Sequence, residues 1–526
     1  MSTTDPFESR RKKLEGIRAL GLNPYPEKFT PTHKAAVLQD SYAALENGIE
    51  TTDSVTVAGR IMALRNDGMF IDLHDTSGKI QVFCHKESLP EQYLQLLPLL
   101  DLGDIIGITG TVRRTPRGEL SVRANAVTML TKTMLPMPDK YHGLTDIETR
   151  YRQRYVDMII NEDSVRVLRQ RAKMTDLTRR FLQEVWDGIE VETPILQAIH
   201  GGAAAKPFVT HHNALDSDFY LRIANELYLK RLMVGGFADC VFEIGHMFRN
   251  EGISIKHNPE YTAFELYKAY ATRDTMMEIV EGVVEHLAQN LTGSTTLNYQ
   301  GTDLHTKGPW ARVSMPKAVH EATGIDFLAI HTDAEAREAA RAKGFKVEER
   351  MRWGEVIALL FEETVEDKLV QPTHVIDHPL DISPLSKEQE EDPRLTSRFE
   401  SYINGWEIAN GFSELNDPAE QRRRFELQME DHAAGNDEAH QLDEDFLNAL
   451  GYGMPPTGGL GMGMDRLAMI LTDTTNIRDV INFPTLRPIH DGAKKAAAKT
   501  AAPSKAVAKT DVAASGSAQP NHQDLD

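Results

Sequence analysis

The chain has 526 residues, 58 Lys+Arg against 78 Asp+Glu, a formal charge of −20 and two cysteines, which suits a globular protein of two to four domains. No apolar run nears the roughly 20 residues of a membrane span, and Met1–Gly16 lacks the apolar core of a signal peptide. Cys84 and Cys240 stand alone, which excludes a disulfide framework or zinc knuckle, so a cytoplasmic protein is expected.

Residues 1–50 carry helical periodicity at Leu14, Ile17 and Leu20, broken at Gly21–Pro26. Residues 51–135 then alternate apolar and polar side chains over Val55–Ile61, Met69–Asp75, Lys79–Lys86, Asp104–Thr115 and Glu119–Leu130. Turn signals fall at Asn66-Asp67-Gly68, Ser77-Gly78 and Pro116-Arg117-Gly118. Five short strands of this kind predict a small closed barrel of OB-fold type. Pro136–Pro138 marks a linker. From 136 to 490, helical patterns (Ser164–Trp186, Arg273–Leu291, Asp333–Lys343, Trp353–Lys368) alternate with strand-like runs. The fold class is α+β, a five-stranded barrel followed by a large domain on an antiparallel sheet flanked by helices, with a helical insertion at about 317–372. Residues 491–526 are of low complexity and are expected to be disordered.

The charge is uneven. Residues 1–135 hold sixteen basic and sixteen acidic groups, whereas 386–450 hold seventeen acids against six bases. The global −20 argues against a nucleic-acid partner, yet Arg113, Arg114, Arg117 and Arg123 form a local basic stretch. With screening over about 10 Å, the local field decides phosphate contact; a solvated strand face explains these arginines equally well.

Three segments of the large domain carry chemistry. Cys240–Tyr270 reads as a long hairpin with Arg249 at its loop. On its returning strand Tyr261, Ala263, Glu265 and Tyr267 share one face, which suits a pocket wall better than bare solvent. Arg394–Asp417 holds Asn404-Gly405, a two-residue turn that places Tyr402 opposite Glu407 and Glu400 opposite Ala409. Glu400 and Glu407 become diagonal neighbours, which suits a shared Mg²⁺ completed by phosphates. Parity puts Asn410, Phe412 and Glu414 on the other face from Glu407, so a bulge is expected near Ala409–Gly411. Gly458–Thr472 alternates glycines and then starts a helix with Asp465 and Arg466, a place for phosphate, although a close-packed helix start explains the glycines nearly as well. It fits neither a dinucleotide fingerprint nor a P-loop.

Together these segments resemble the class II aminoacyl-tRNA synthetases, and within them the lysine-specific family of bacterial type. The resemblance runs from about Arg10 to Pro488. Gly188–Leu196 (GIEVETPIL) looks like motif 1, whose Pro194 belongs to the dimer interface; Phe248–Tyr261 carries motif 2 and Gly459–Arg466 motif 3. GGAAAKPFVTHHNALD and NGFSELND look like the lysine enzymes rather than the aspartate or asparagine ones.

The resemblance implies a six-stranded antiparallel catalytic sheet and two-step chemistry, in which lysine and ATP give lysyl-adenylate and the lysyl group passes to tRNA(Lys). Arg249 would hold the lysine carboxylate and α-phosphate, and Arg466 the γ-phosphate. Glu251, His257, Asn258 and Tyr261 would complete the ATP site, with Tyr261 on the adenine. Glu400 and Glu407 would carry Mg²⁺. Glu414 would pair with the substrate ammonium, with Gly202, Glu226, Glu265, Tyr267, Asn410 and Phe412 around the amino acid. Phe70, Gln81 and Glu119, helped by Arg65, would read the anticodon; a core role for Phe70 is the competing reading. A homodimer is implied, and no membrane.

Four departures from the family pattern stand out: Asn225 where proline is common, an extra residue at Ala238–Cys240, Trp406 where arginine is frequent, and a first barrel turn at Arg65–Phe70 about two residues short. Rival readings are an aspartate or asparagine enzyme, disfavoured by Glu265 and Glu414, a lysyl-transferring paralogue acting on a protein, and a non-catalytic RNA-binding relative.

Overall fold

The computed structural model describes residues 5–488 except 88, 139–143, 145, 204 and 434–441, so the expected tail at 491–526 lies outside the described residues. The chain divides into two compact units, Met1–Thr145 and Asp146–Asp526.

In the first unit, strands β1 (Glu50–Arg65), β2 (Phe70–His74), β3 (Lys79–Phe83), β4 (Ile105–Arg114) and β5 (Leu120–Thr131) close a barrel in the order β1-β2-β3-β5-β4. Alternation sorts the side chains: Ile71, Leu73, Ile80 and Val82 fill the interior, while Phe70, Asp72, Gln81 and Phe83 point outward, only partly covered. The segment expected at 1–50 shares this core rather than standing apart. Its helices Pro6–Ala19 and Ala35–Ser41 contribute Ile17, Ala35 and Leu38 to the barrel interior cluster.

The second unit is built on an eight-stranded sheet. Its order is Ala311–Ser314, Thr373–Ile376, Arg398–Ile403, Trp406–Ser413, Thr457–Gly463, Glu260–Ala269, Cys240–Phe248 and Ile189–Glu190. The six central strands are antiparallel, and a parallel strand flanks them at each edge, which extends the six-stranded expectation.

Helices Glu162–Trp186 and Arg273–Thr292 cover one face of the sheet. Met174, Leu182, Met276 and Val280 pack there with Phe242, Phe264 and Leu266. The first helix starts where the Asn161 side chain accepts from Asp163 N–H, and stops at Asp187 in the left-handed region (φ 53°) before Gly188. Helices Met315–Thr323, Asp333–Ala342 and Trp353–Thr364 form a separate cluster around Phe327, Trp353 and Leu360, at the expected insertion. Among the described residues no helix is long and apolar enough to cross a membrane. The other face is covered in part by helices Glu226–Val234 and Glu444–Gly451, where Leu229 and Phe446 pack with Val241 and Tyr267, and it carries the candidate site beside them.

Candidate active site

Two hairpins and the glycine-rich strand Thr457–Gly463 line a cavity of about 400 Å³ on that face, within the ~300–1,000 Å³ usual for small-molecule sites. The first hairpin pairs without interruption from Cys240–Lys268 to Phe248–Glu260. Tyr261, Ala263, Glu265 and Tyr267 therefore reach the cavity, while Phe264 and Leu266 enter the core.

The second hairpin turns at Asn404 (φ 55°) and Gly405 (φ 67°), the conformation a two-residue type I′ turn demands. Its register needs a correction. Tyr402 faces Glu407 as expected, but Glu400 faces Asn410 rather than Ala409, and the extra residue is Ile408, just before the expected Ala409–Gly411. Core packing fixes the position: Ile408 and Ala409 both join the hydrophobic cluster. The slip brings Glu407, Asn410 and Phe412 to the same cavity.

The floor of the cavity is acidic. Glu226 and Glu265 line it, buried at 6 and 9 % exposure, while Glu414, at 1 %, lies just behind it and is not part of the lining. Burial first, and then Glu226, push the Glu265 carboxyl up to about 8; Tyr267 Oη donates to its Oε2 at 2.9 Å. Burial also raises Glu226 and, more strongly, Glu414. Gly459 is required here, because a Cβ on it would lie 2.0 Å from Glu414 Oε1 and 2.5 Å from Tyr267 Cε1. Gly202, at φ +89°, brings its loop against Glu226, where an added Cβ would stand 3.1 Å from the Glu226 Cβ.

Beneath this floor lies a residue that sequence reading missed. Lys230, fully buried, ion-pairs with both Glu226 and Glu414 and sits 5.4 Å from the Phe412 ring centre. Burial alone would lower its pKa, but the two carboxylates hold it above the ordinary lysine value. The available signal was the Glu226-to-Lys230 spacing of one helical turn.

The opposite end of the cavity is basic. Arg249 is half-buried with its guanidinium 5.4 Å from the Tyr261 ring centre, and its Nε has no hydrogen-bond partner among the described residues. Burial works against its charge, yet Tyr261, Glu251, Glu407 and Glu265 keep its pKa raised. The Tyr261 ring expected under adenine thus already carries the Arg249 cation.

Arg466 Nη1 donates to the Glu407 carbonyl at 2.7 Å, and its Nη2 to His257 Nε2 at 2.9 Å. That assigns the His257 proton to Nδ1, which donates to Ser254 Oγ at 2.8 Å. Burial, Arg466 and Lys256 lower the His257 pKa, so the ring is neutral near pH 7. Asn258 Oδ1 is buried without a partner, while Glu251 lines the cavity from the exposed loop. Asp465 is structural: it accepts from Arg171 Nε at 3.0 Å and Thr262 N at 2.8 Å, docking the helix of Arg466.

Glu400 is not bare. Arg398 Nη2 donates to it at 2.6 Å and Tyr402 Oη at 2.7 Å. Burial pushes its carboxyl up, but His378, Arg398 and Tyr402 outweigh burial and hold it low. Glu407 is raised, by burial and then by Glu400. Burial and the neighbouring acids Glu362, Glu400 and Glu407 push Glu366 up to about 7. Arg398 and Arg466 offset this repulsion only in part, since Glu407 and Glu366 stay raised, which fits a divalent cation completed by phosphate oxygens, although no cluster of three or more protein ligands occurs among the described residues. Arg398 was also missed in the sequence, despite lying two residues before Glu400 on one strand face.

Two departures now have physical content. Asn225 donates its backbone N–H to Glu265 Oε1 at 3.4 Å and its Nδ2 to Glu243 Oε2 at 2.9 Å, neither of which a proline could do. Trp406 packs edge-on against Tyr299 and supports Lys256, whose Nζ lies 5.3 Å from its ring centre at the cavity wall. The extra residue at Ala238–Cys240 falls at the entry to the first hairpin.

In the barrel, Phe70 stacks on Phe83 with ring centres 5.1 Å apart, and Arg113 lies 5.0 Å from the Phe83 ring centre. Gln81 Oε1 accepts from Ser121 Oγ at 3.0 Å, which orients its amide. Glu119 is exposed at the preceding turn. Arg65 pairs with Asp72 at 2.6 Å instead of standing free. The outward position of Phe70 argues against a core role.

A family model for tRNA synthetases class II (D, K and N) matches residues 146–487, and one for an OB-fold nucleic acid binding domain matches 55–130. The chain is 55 % identical over 486 residues to the lysine–tRNA ligase of Rhizobium meliloti (strain 1021), covering 92 % of this chain and 97 % of that one. The corresponding enzyme of Agrobacterium fabrum (strain C58 / ATCC 33970) is 54 % identical over 485 residues, with 92 and 97 % covered. That of Carboxydothermus hydrogenoformans (strain ATCC BAA-161 / DSM 6008 / Z-2901) is 50 % identical over 481 residues, with 91 and 97 % covered. With one model matching more than half of its length and relatives aligned nearly end to end, the chain belongs to the class II tRNA synthetases (D, K and N), in the family of the lysine–tRNA ligases.

Proposed function

We infer that the protein is a lysine–tRNA ligase. It activates L-lysine with ATP to lysyl-adenylate and pyrophosphate, then transfers the lysyl group to the terminal adenosine of tRNA(Lys). The observation that carries this reading is one cavity with Glu226 and Glu265 in its floor, Glu414 buried just behind Gly459, and an arginine at the opposite end. An amino acid with a terminal ammonium and an α-carboxylate matches both ends, whereas aspartate would place its side chain among three acids.

In the first step a lysine carboxylate oxygen bonds to the α-phosphorus while the bond from that phosphorus to the β-phosphate bridge breaks. Arg249 binds the carboxylate and the α-phosphate together, which fixes the line of attack and stabilises charge gathering on the α-phosphoryl oxygens. Arg466, oriented by His257 and by the Glu407 carbonyl, holds the terminal phosphate and steadies the leaving pyrophosphate. Glu251, Asn258 and Tyr261 position the nucleotide, with the unpartnered Asn258 Oδ1 available to it. Glu400 and Glu407 would hold Mg²⁺, which when bound neutralises phosphate charge. In the second step the ribose hydroxyl of tRNA attacks the lysyl carbonyl and AMP departs.

The test is lysine-dependent ATP–pyrophosphate exchange by the purified chain. Absence of exchange with lysine, or equal exchange with aspartate, refutes the assignment. The barrel at 51–135 reads the anticodon through Phe70, Gln81, Glu119 and Arg65, a role that a paralogue acting on a protein would not need. Phe70→Ala is expected to leave exchange unchanged and lower kcat/KM for tRNA by about 10–100-fold, since a base–aromatic stack contributes ~1–3 kcal/mol. Equal charging by both proteins would remove Phe70 from the anticodon site.

The protein works in the cytoplasm as a homodimer through motif 1. Val185, Ile189, Ile195, Leu196 and Val209 are 45–60 % exposed, an apolar run that an isolated protomer leaves in water. Light scattering is expected to give twice the chain mass, and Leu196→Arg the single chain mass. A monomeric wild type at micromolar concentration would overturn this.

A further inference from the structure

We propose that Lys230 is a fixed counter-ion of the amino-acid pocket, a positioning residue whose charge opposes burial at Glu226 and Glu414 and draws them toward the carboxylate form that receives the ammonium groups of the substrate. The inference rests on the lysine-ligase reading of this cavity and goes beyond it, to what opposes the neutralisation of buried acids at its floor.

Three carboxylates meet there. Glu226 comes from the helix Glu226–Val234, Glu265 from the first hairpin, and Glu414 follows the second hairpin. Without a cation, burial would return such groups to their neutral acids, and a neutral acid attracts an ammonium poorly. Lys230 is one turn from Glu226 on the same helix and bridges it to Glu414. It has no exposed surface and its ammonium is taken up by these two carboxylates, so it acts on the substrate through them.

Glu414 Oε1 accepts no hydrogen bond among the described residues, although the residue is 1 % exposed. Glu414 Oε2 faces the internal ammonium, and Oε1 lies beside Gly459 and Tyr267, both of which line the cavity. The other charged and titratable groups at this floor are Arg398, whose field lowers Glu226, Tyr267 on Glu265, and Glu243, held by Arg222 and Asn225. None supplies a second cation to Glu414. With Lys230 counted, the floor retains two net negative charges when ionised, matching the two ammonium groups of lysine.

The test is kcat/KM for lysine in pyrophosphate exchange between about pH 6 and about pH 9, for wild type, Lys230→Met and Lys230→Arg. Lys230→Met is expected to raise the lysine KM roughly 10–100-fold at about pH 6.5, with the deficit shrinking about tenfold per pH unit as the floor ionises without its counter-ion. The ATP KM is expected to stay within about twofold of wild type, because the nucleotide does not touch this end. Lys230→Arg keeps the charge, so its acid limb is expected to match wild type even where its bulk raises the lysine KM.

A Lys230→Met deficit that is constant with pH, or that appears equally in the ATP KM, overturns the proposal in favour of a packing role. So does an acid limb displaced in Lys230→Arg. Should Lys230→Met not fold, the Lys230→Arg limb decides alone. Wild type inactive with lysine would instead refute the ligase reading, so the two failures are distinguishable.

Discussion

Arg249→Ala is expected to reduce lysine-dependent pyrophosphate exchange by about 10³-fold or more in kcat, since loss of a single preorganised donor to developing charge already costs ~10²–10³-fold. In the proposed mechanism Arg249 serves two groups at once, the α-carboxylate of the amino acid and the α-phosphate, so its loss is expected to weaken ground-state binding as well. Arg249→Lys is expected to recover only a small part of the activity. A lysine ammonium is a point charge and cannot present the planar fork that engages two oxyanions in fixed geometry. The side chain lies at the cavity surface beside Tyr261, with Nε unpartnered, so far-UV circular dichroism is expected to be unchanged. Exchange within tenfold of wild type in the alanine variant would remove Arg249 from this role.

Glu414→Gln is expected to raise the lysine KM by about 10²–10³-fold, the cost of truncating one partner of a buried charge pair at ~2–5 kcal/mol, with little change in the ATP KM. Volume is preserved and Lys230 keeps Glu226, so the fold is retained. The amide would turn either a neutral oxygen or a second set of N–H donors toward the incoming ammonium. Binding is measured by titration calorimetry with lysine and, in parallel, by exchange kinetics. An unchanged lysine affinity would move the ammonium site to Glu226 or Glu265.

Wild-type lysine binding should also be pH-dependent. Glu265 is neutral below its raised value of about 8 in the empty site. An arriving ammonium favours its carboxylate, so binding is expected to tighten from about pH 6 to about pH 8 with release of a proton. Calorimetry in buffers of different ionisation enthalpy reads that proton directly, and buffer-independent heats would contradict it.

Much of the site was legible because its determinants are local. The uninterrupted first hairpin follows from strand alternation, which set Tyr261, Glu265 and Tyr267 against Phe264 and Leu266. Asn404-Gly405 specified its own turn through the φ > 0 both positions adopt. The need for a bulge followed from the parity of Glu407 against Asn410, but its position did not. Whether the extra residue was Ile408 or a later one depended on which side chains the core beneath could accept.

Charge compensation was the least legible feature, because it is long-range. Glu400 and Glu407 read as a bare acid pair, whereas Arg398 and Tyr402 engage Glu400. Arg65 read as an anticodon helper, yet it pairs with Asp72 across the first barrel turn. Trp406 read only as a departure, and its meaning appears with Lys256 over its ring.

By itself, then, the sequence determined the barrel, the hairpins, the family and many of the groups that line the cavity, since periodicity, turn chemistry and motifs act over a few residues. The tertiary structure alone decided how those groups are held: the slip at Ile408, the close approach of Gly459 to Glu414, and Lys230 beneath the acidic floor. Each depends on elements far apart in the chain meeting in a low-dielectric interior, where one buried ammonium changes the protonation of every carboxylate around it.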